Sequence, residues 1–202
     1  MVSEKEIVNS LFEKFNKEVP KSILAKRVQL WQHKELKGIN KKYQLRPDID
    51  LLIRTKDNHL AGVEVKVFHQ TENKYIFCGI DQALSLLRFG LESVRLIQVF
   101  IIDLDADKET QLKVIDKFVE YASGVSDFIR TFNLPLNYTP FSTFVHKNKL
   151  IKKMVVLENK KYPKKNLIVH HKEIVSNWSN FEKHSNYRKQ IKKYLVKKYL
   201  KR

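Results

Sequence analysis

The chain places charged residues inside two apolar stretches, and this combination restricts its fold more than any other feature. The sequence RPDIDLLIRTKDNHLAGVEVKVFH, residues 46–69, has the pattern of two short strands joined by a polar turn. Buried charges are unfavourable unless they are paired or bind a metal. The presence of four charged residues in this stretch therefore needs an explanation. They are Asp48, Asp50, Glu64 and Lys66.

The predicted hairpin pairs residues 48–55 with residues 60–68 across Lys56-Asp57-Asn58. Side chains alternate between the faces of a strand, so the acids share one face and the intervening apolar residues share the other. A three-residue loop pairs Asp50 with Glu64 and Asp48 with Lys66. A two-residue loop would separate them unless a bulge at Gly62 restored the register. On the other face, a helical layer is expected to cover Ile49, Leu51, Ile53, Val63, Val65 and Val67.

Closely spaced carboxylates repel each other, and a divalent cation relieves that repulsion. Aspartate and glutamate oxygens are the ligands that Mg²⁺ or Mn²⁺ prefers, and a neighbouring lysine can stabilise charge that develops on a phosphate. The alternative is a salt bridge between Lys66 and the acids on a solvated sheet face. The E-x-K spacing occurs four times in the chain, but only Glu64-Val65-Lys66 lies within an apolar strand that follows an aspartate-bearing strand.

These residues resemble the PD-(D/E)xK nuclease superfamily, which has the restriction-endonuclease-like fold. The resemblance includes Pro47-Asp48 or Asp50, then Glu64-Val65-Lys66, and then Gln82 on the helix that follows. It implies that the aspartate and Glu64 bind the metal and that Lys66 is the electrostatic catalyst, and it covers about the first half of the chain. It also implies a homodimer, as in many nucleases of this fold.

Three assignments within this resemblance stay open. Asp48 matches the proline-aspartate pair of the motif, whereas Asp50 has the better spacing to Glu64 and is favoured as the ligand. Some members add a glutamate from the first helix, and the candidates for it here are Glu4, Glu6 and Glu13. One exonuclease branch has a tyrosine four residues after the glutamine. This chain has Leu86 at that position, which argues against membership in that branch.

The remaining patterns predict an α/β fold, with a central mixed β-sheet flanked by helices in one domain, 1–202. Its core is expected over about 3–145, with a basic C-terminal extension over about 159–202. A capping box at Ser3–Glu6 begins the first helix. Further predicted elements are an edge-like strand or irregular segment at 25–36, a helix from Ile80 to a C-cap at Gly90, a buried strand at 93–105, a long helix at 112–132 that could break at Gly124, strands at 138–148 and 154–158, a basic loop at 159–166 and a basic helix at 187–202.

Charge indicates the partner. The chain has 39 Lys+Arg against 22 Asp+Glu, a net charge of +17, which favours a polyanionic partner such as nucleic acid or an anionic membrane surface. The alternative is a surface rich in lysine because of its proteome or because of a thermophilic host, and nucleic acid is favoured over it. No apolar run is long enough to cross a bilayer, and the single cysteine, Cys78, excludes an internal disulfide. The seven histidines show no zinc-ligand spacing, and no glycine-rich phosphate loop is present. We expect a soluble, intracellular, cytoplasmic protein without a membrane partner.

The sequence thus predicts a Mg²⁺- or Mn²⁺-dependent deoxyribonuclease, most simply an endonuclease. The first alternative is a nucleic-acid-binding protein of the same fold without turnover. The second is a basic assembly protein in which the acids only form salt bridges.

Overall fold

A computed structural model describes residues 2–19, 22–29, 48–70, 75–87, 91–158, 166–170 and 185–200. These residues form a six-stranded mixed sheet flanked by helices, which confirms the predicted α/β class. The helices are α1 (Glu4–Glu18), α2 (Ile80–Leu86), α3 (Lys108–Thr131) and α4 (Ser185–Tyr199). The strands are β1 (Ile23–Gln29), β2 (Asp48–Arg54), β3 (Leu60–Phe68), β4 (Ser93–Asp103), β5 (Asn137–His146) and β6 (Lys149–Val156).

The strands lie in chain order, β1-β2-β3-β4-β5-β6. β2 is antiparallel to both β1 and β3, β4 is parallel to β3 and β5, and β6 returns antiparallel to β5. The predicted β2–β3 hairpin is confirmed, with Leu51 opposite Val63. This register is the one that the three-residue loop predicts, but the pairing ends one residue before Asp50 and Glu64 would face each other.

Two hydrophobic clusters cover opposite faces of the sheet around the hairpin. The α1-side cluster includes Ile7 and Leu11 of α1 with Leu51, Val63 and Val65 of the sheet. The α2-side cluster joins α2, the C-terminal half of α3 and α4; it includes Leu52, Leu86, Leu96, Ile129, Ile191, Leu195 and Leu200. Each cluster is nearly inaccessible to water, so burial of apolar surface fixes the sheet between the helices. A third cluster packs the first half of α3 against Phe68 and Phe100.

The capping box of α1 is present, since Ser3 Oγ accepts from the Glu6 N–H and the Glu6 carboxylate accepts from Ser3. The predicted break of the long helix is wrong, because α3 runs unbroken through Gly124. A methyl group at Gly124 would be 3.5 Å from Ile76, which is ordinary packing, so nothing interrupts the helix there.

The strand prediction at 138–148 ran over a turn. β5 ends at His146, and Lys147 and Asn148 both have positive φ, which reverses the chain directly into β6. The segment at 25–36 is a strand as far as Gln29, and its remainder lies outside the described residues. Gly90 and the loop at 159–165 also lie outside them.

The basic C-terminal helix is docked on the core. Ile191, Leu195 and Leu200 of α4 and its C-terminal end are 4%, 0% and 0% exposed. The described helix of the segment expected as an extension therefore packs on the core of the domain. Within the described ranges, no helix combines the length and the apolar character needed to cross a membrane.

Candidate active site

The two strands of the hairpin separate at Asp50. Paired residues of β2 and β3 end at Leu51–Val63, whereas β2 stays paired with β1 as far as Asp48. In the gap, Oδ2 of Asp50 accepts a hydrogen bond of 2.7 Å from the N–H of Val65. A carboxylate thus takes the place that a strand carbonyl would occupy, and this holds Asp50 beside the Glu64–Lys66 segment.

Strict alternation fails at the same place. Ile49 was expected on the same sheet face as Leu51, but it packs with Val28 and Leu52 in the α2-side cluster whereas Leu51 packs in the α1-side cluster, so that assignment is wrong. The reason is a local turn of the β1–β2 ribbon, because Arg27 has φ 54° between the pairs Lys26–Leu51 and Val28–Ile49. A left-handed residue within a strand reorients the side chains that follow it.

Glu64 and Lys66 form a buried ion pair. Lys66 Nζ is 2.6 Å from Glu64 Oε1, and the two side chains are only 15% and 6% exposed. The pairing matches the salt-bridge interpretation, but the location does not, because that interpretation required a solvated sheet face. A buried ion pair gains little net stability over apolar packing, so stability alone explains the arrangement poorly.

The pKa values of all three charged groups are shifted from their usual values. Burial raises the pKa of Glu64 to about 7, and the nearby Asp50 charge adds to the shift, against the opposing effect of Lys66. Burial also raises the pKa of Asp50 to about 6, while its bond from Val65 acts in the opposite direction. Burial is the largest effect on Lys66 and by itself would lower its pKa, but the charge and hydrogen bond of Glu64, together with the charges of Glu4 and Asp50, raise the pKa above its usual value. Strongly shifted carboxyl pKa values are typical of functional sites.

The aliphatic part of Lys66 is positioned by the start of α2. Gly79 precedes that helix with φ 92°, a conformation that glycine adopts readily. A Cβ atom at Gly79 would lie 2.8 Å from Cγ of Lys66 and 2.8 Å from Cδ1 of Leu96. The lysine stem therefore runs directly against the backbone at this turn, which limits the positions of its ammonium group.

A buried polar network supports the same turn, and sequence reasoning missed it. Gln98 lies next to Lys66 in the β3–β4 register and is fully buried. Its amide Nε2 donates to the carbonyl of Ile76 at 2.7 Å, and its Oε1 accepts from the hydroxyl of Tyr138 at 2.8 Å. The only available signal was a glutamine within the apolar run LIQVFII.

The structure distinguishes between the first-helix glutamates. The negative charge of Glu4 raises the pKa of both Asp50 and Glu64, so its carboxylate is the one that acts on the site. Glu6 is engaged in the capping box with Ser3. Glu4 is exposed in the first turn of α1.

Two predicted site residues stand apart from this group. Asp48 is exposed at the start of β2, opposite Gln29 rather than in the gap. Gln82 is exposed in the first turn of α2, and within the described part of the chain its side chain makes no hydrogen bond. The structure thus brings Asp50, Glu64 and Lys66 together, and leaves Asp48 and Gln82 at the rim.

The donor set suits a hard divalent cation. Asp50 uses Oδ2 for Val65 and Glu64 uses Oε1 for Lys66, which leaves one oxygen of each carboxylate for a metal. Mg²⁺ is commonly held by one or two carboxylates and otherwise by water and substrate phosphate, so two protein ligands are enough. Among the described residues, no group of three or more His, Cys, Asp or Glu side chains is arranged for a metal.

Comparison with known proteins does not assign the chain to a family. No family model matches the chain, and no curated protein matches it. A solved structure of SfsA from Pyrococcus furiosus in complex with Ca²⁺ is similar, with 10% sequence identity and a TM-score of 0.33. The match covers 75% of this chain and 58% of the SfsA chain, so the chain spans less than two thirds of that protein. A similarity at this level does not assign a family.

Proposed function

We propose that the chain is a metal-dependent nuclease that hydrolyses DNA phosphodiester bonds. Asp50 and Glu64 are the metal ligands, and Lys66 is the electrostatic catalyst. The observation that supports this most is the position of the three charged groups where β2 separates from β3, with Glu64 buried and with Asp50 and Lys66 partly buried. Removing three charges from water is unfavourable for folding, and a catalytic role explains why the chain does so.

The restriction-endonuclease-like core belongs to the same proposal. Helix α1, the hairpin β2–β3, helix α2 and strand β4 follow one another in the order that this fold requires. A homodimer, which the resemblance also implies, stays a prediction.

Each residue has a distinct task at the scissile phosphate. A bound divalent cation supplies Lewis acidity and lowers the pKa of a coordinated water. Asp50, fixed by the Val65 N–H, presents its free oxygen to the metal. Lys66, fixed by Gly79 and paired with Glu64, directs its ammonium to the negative charge that grows on the phosphate oxygens.

DNA is held by charge outside this centre. Helix α4 buries Ile191 and Leu195 but exposes a stripe of lysines four residues apart on its other side. The stripe consists of Lys189, Lys193 and Lys197. Such contacts bind the phosphate backbone without reading its sequence, and the net charge of +17 acts in the same direction.

The direct experiment is a cleavage assay on four DNA substrates: supercoiled plasmid, linear duplex, single strand and four-way junction. Each is incubated with Mg²⁺, Mn²⁺, Ca²⁺ or EDTA. We expect cleavage with Mg²⁺ or Mn²⁺ and none in EDTA. Salt-dependent DNA binding with no cleavage under any condition would instead identify a catalytically inactive binding protein. Absence of both binding and cleavage would identify a structural role and overturn the proposal.

A further inference from the structure

Four aromatic rings form a continuous ladder beside the candidate active site. The ring centroids of Tyr75 and Phe77 are 5.3 Å apart, those of Phe77 and Phe128 are 4.9 Å apart, and those of Phe128 and Phe132 are 4.7 Å apart. These distances are within the range of favourable aromatic pairs. The ladder connects the turn before α2 with the last turn of α3.

The two ends of the ladder are open to solvent. Tyr75 is 71% exposed and Phe132 is 63% exposed, whereas Phe77 and Phe128 are partly buried against the α2-side cluster. The inner rings therefore serve packing, and they fix the outer rings in place. The outer rings are largely exposed, so they contribute little to folding and their faces are accessible to a ligand.

The segment that carries Tyr75 and Phe77 continues to Gly79, which contacts Lys66. Consecutive turns connect Tyr75 to Gly79, with the Cys78 N–H donating to the Tyr75 carbonyl at 3.0 Å and the Ile80 N–H donating to the Phe77 carbonyl at 3.3 Å. Four peptide units span at most about 15 Å, and Gly79 itself packs on Lys66. A single strand with one base on Tyr75 therefore needs only a few nucleotides to reach the proposed reaction centre.

Positive charge flanks the ladder on the same side of the sheet. Helix α4 packs into the same hydrophobic cluster as Phe77 and Phe128, through Ile191 and Leu195. Its exposed lysines are therefore available to the backbone of a polyanion lying on this side. Aromatic rings beside a basic surface are the usual composition of sites that bind single-stranded nucleic acid.

We propose that Tyr75 and Phe132 stack on unpaired bases of a DNA strand whose phosphodiester bond is presented at Lys66. The inference rests on the proposed nuclease function and specifies its substrate class as single-stranded DNA or DNA with unpaired ends. Bases within a duplex are already stacked on their neighbours, so their faces are not free for protein rings. Unpaired bases of any sequence can stack, which gives a structural preference without a sequence preference.

Binding without cleavage tests the proposal. Fluorescence anisotropy in EDTA compares the parent with Tyr75→Leu and Phe132→Leu, using an oligothymidylate, an abasic strand of equal length and a duplex. Leucine retains apolar bulk and removes the ring. We expect each variant to lose about 5- to 150-fold in affinity for the oligothymidylate, the loss that corresponds to one base–aromatic stack, with no change for the abasic strand.

Two control variants separate stacking from other effects. Leu112→Ala removes an exposed apolar side chain, 55% exposed, at the opposite end of α3, roughly 30 Å from Phe132, and should bind as the parent does. Tyr75→Phe retains the ring and should also bind as the parent does. Melting temperatures confirm that the variants are folded.

Unchanged oligothymidylate binding in both leucine variants would overturn the inference. So would an equal loss of affinity for the base-containing and abasic strands, since that identifies an electrostatic or folding effect. Because the measurement excludes metal and turnover, the stacking result stands or fails independently of the cleavage assay.

Discussion

Lys66 lies as close to Glu64 as Lys113 lies to Glu109, at 2.6 Å in both pairs, yet the two pairs differ completely in burial. The Lys113 and Glu109 side chains are 75% and 77% exposed, against 15% and 6% for Lys66 and Glu64. The exposed pair is screened by water and contributes little to stability. The buried pair has shifted pKa values and lies where two strands separate, so only that pair has the properties of a reactive centre.

The difference between the pairs supplies a test of Lys66. Lys66→Met should lower the cleavage rate about 10²- to 10³-fold and leave DNA affinity nearly unchanged, because the ammonium acts on charge that develops only in the transition state. The matched control, Lys113→Met, removes a lysine with the same partner distance and should retain the parent rate. Single-turnover cleavage and binding in Ca²⁺ measure both quantities. A folded Lys66→Met protein that cuts at the parent rate would remove Lys66 from the mechanism.

The two aspartates provide a second matched comparison. Asp50→Asn should abolish metal binding and cleavage, yet it should raise metal-free stability at pH 8 by roughly 1–3 kcal/mol, because a neutral amide is buried at less cost than a carboxylate. The amide oxygen can still accept from Val65. Asp48→Asn, at an exposed position, should change neither property. Calorimetric titration with Mn²⁺ and urea unfolding measure them, and the reverse pattern would make Asp48 the ligand.

Much of this centre could be predicted from local pattern. Alternation with a three-residue loop predicted that Asp50, Glu64 and Lys66 lie together, although a two-residue loop stayed open and would have separated them. The same pattern placed Asp48 opposite Lys66, which is wrong, because β2 and β3 stop pairing at Leu51–Val63. The same rule misplaced Ile49, since the left-handed turn at Arg27 belongs to a different strand whose pairing could not be read from the hairpin.

Contacts between distant segments could not be predicted. Gly79 against Lys66, and Tyr138 on Gln98, depend on how α2 and β5 are placed on the sheet. Likewise, the strand predicted at 154–158 in fact begins at Lys149 and ends at Val156, because side-chain charge gave no sign of the two left-handed residues that begin its hairpin at Lys147.

Metal affinity should fall as the pH falls. Glu64 and Asp50 bind metal as carboxylates, and their pKa values are about 7 and about 6. As the pH falls below about 7, metal must displace first one proton and then two, so affinity should fall about tenfold per pH unit and more steeply below pH 6. Calorimetric titration with Mn²⁺ between pH 5.5 and 8.5 measures this, in roughly half-unit steps. A flat profile would mean that these carboxyls do not bind the metal.

In the metal-free protein, the same two carboxyl groups should make the free energy of unfolding depend on pH. Both carboxyls have higher pKa values folded than unfolded, so the folded state binds more protons between about pH 4 and about pH 7. Their contribution to stability is therefore complete below about pH 4 and is lost as the pH rises toward 7. Urea unfolding across this range should show the loss in the parent and a smaller loss in Asp50→Asn.

Substitution of its lysines tests whether the basic face of α4 binds DNA. Deletion of the helix is a poor test of the same point. Removing the helix would expose the core around Leu195, and binding would fail for lack of folding. Replacing Lys189, Lys193 and Lys197 with glutamine removes three charges and leaves the apolar side intact. The slope of log affinity against log salt should fall by up to about 2–3, since each lost phosphate contact contributes about 0.7–0.9.

A control with the same charge change is available on α3, where Lys108, Lys113 and Lys117 are exposed. Glutamine at these three positions alters net charge equally but should leave the slope nearly unchanged. Equal effects of the two triple variants would indicate that net charge attracts DNA, and that α4 is not a specific contact surface.

The contact between Gly79 and Lys66 leads to the sharpest test, because it alters neither charge nor any proposed ligand. In Gly79→Ala the added methyl group would overlap Cγ of Lys66 at 2.8 Å, and φ 92° is unfavourable for alanine. The lysine stem must move, which weakens its pairing with Glu64. Since Lys66 lowers the pKa of Glu64, that pKa should rise further, and cleavage should decrease while DNA affinity stays nearly the same.

Gly124→Ala is the matched control, since its methyl group meets Ile76 at an ordinary 3.5 Å in the middle of a helix. Alanine there should raise stability by about 0.5–1 kcal/mol and leave both cleavage and the Glu64 pKa unaltered. Carboxyl ¹³C NMR reports the pKa, and urea unfolding reports stability. A merely structural role for Gly79 predicts lost stability with an unshifted Glu64 pKa in the folded protein. A shifted pKa together with slowed cleavage would show that the turn before α2 holds Lys66 in its working position.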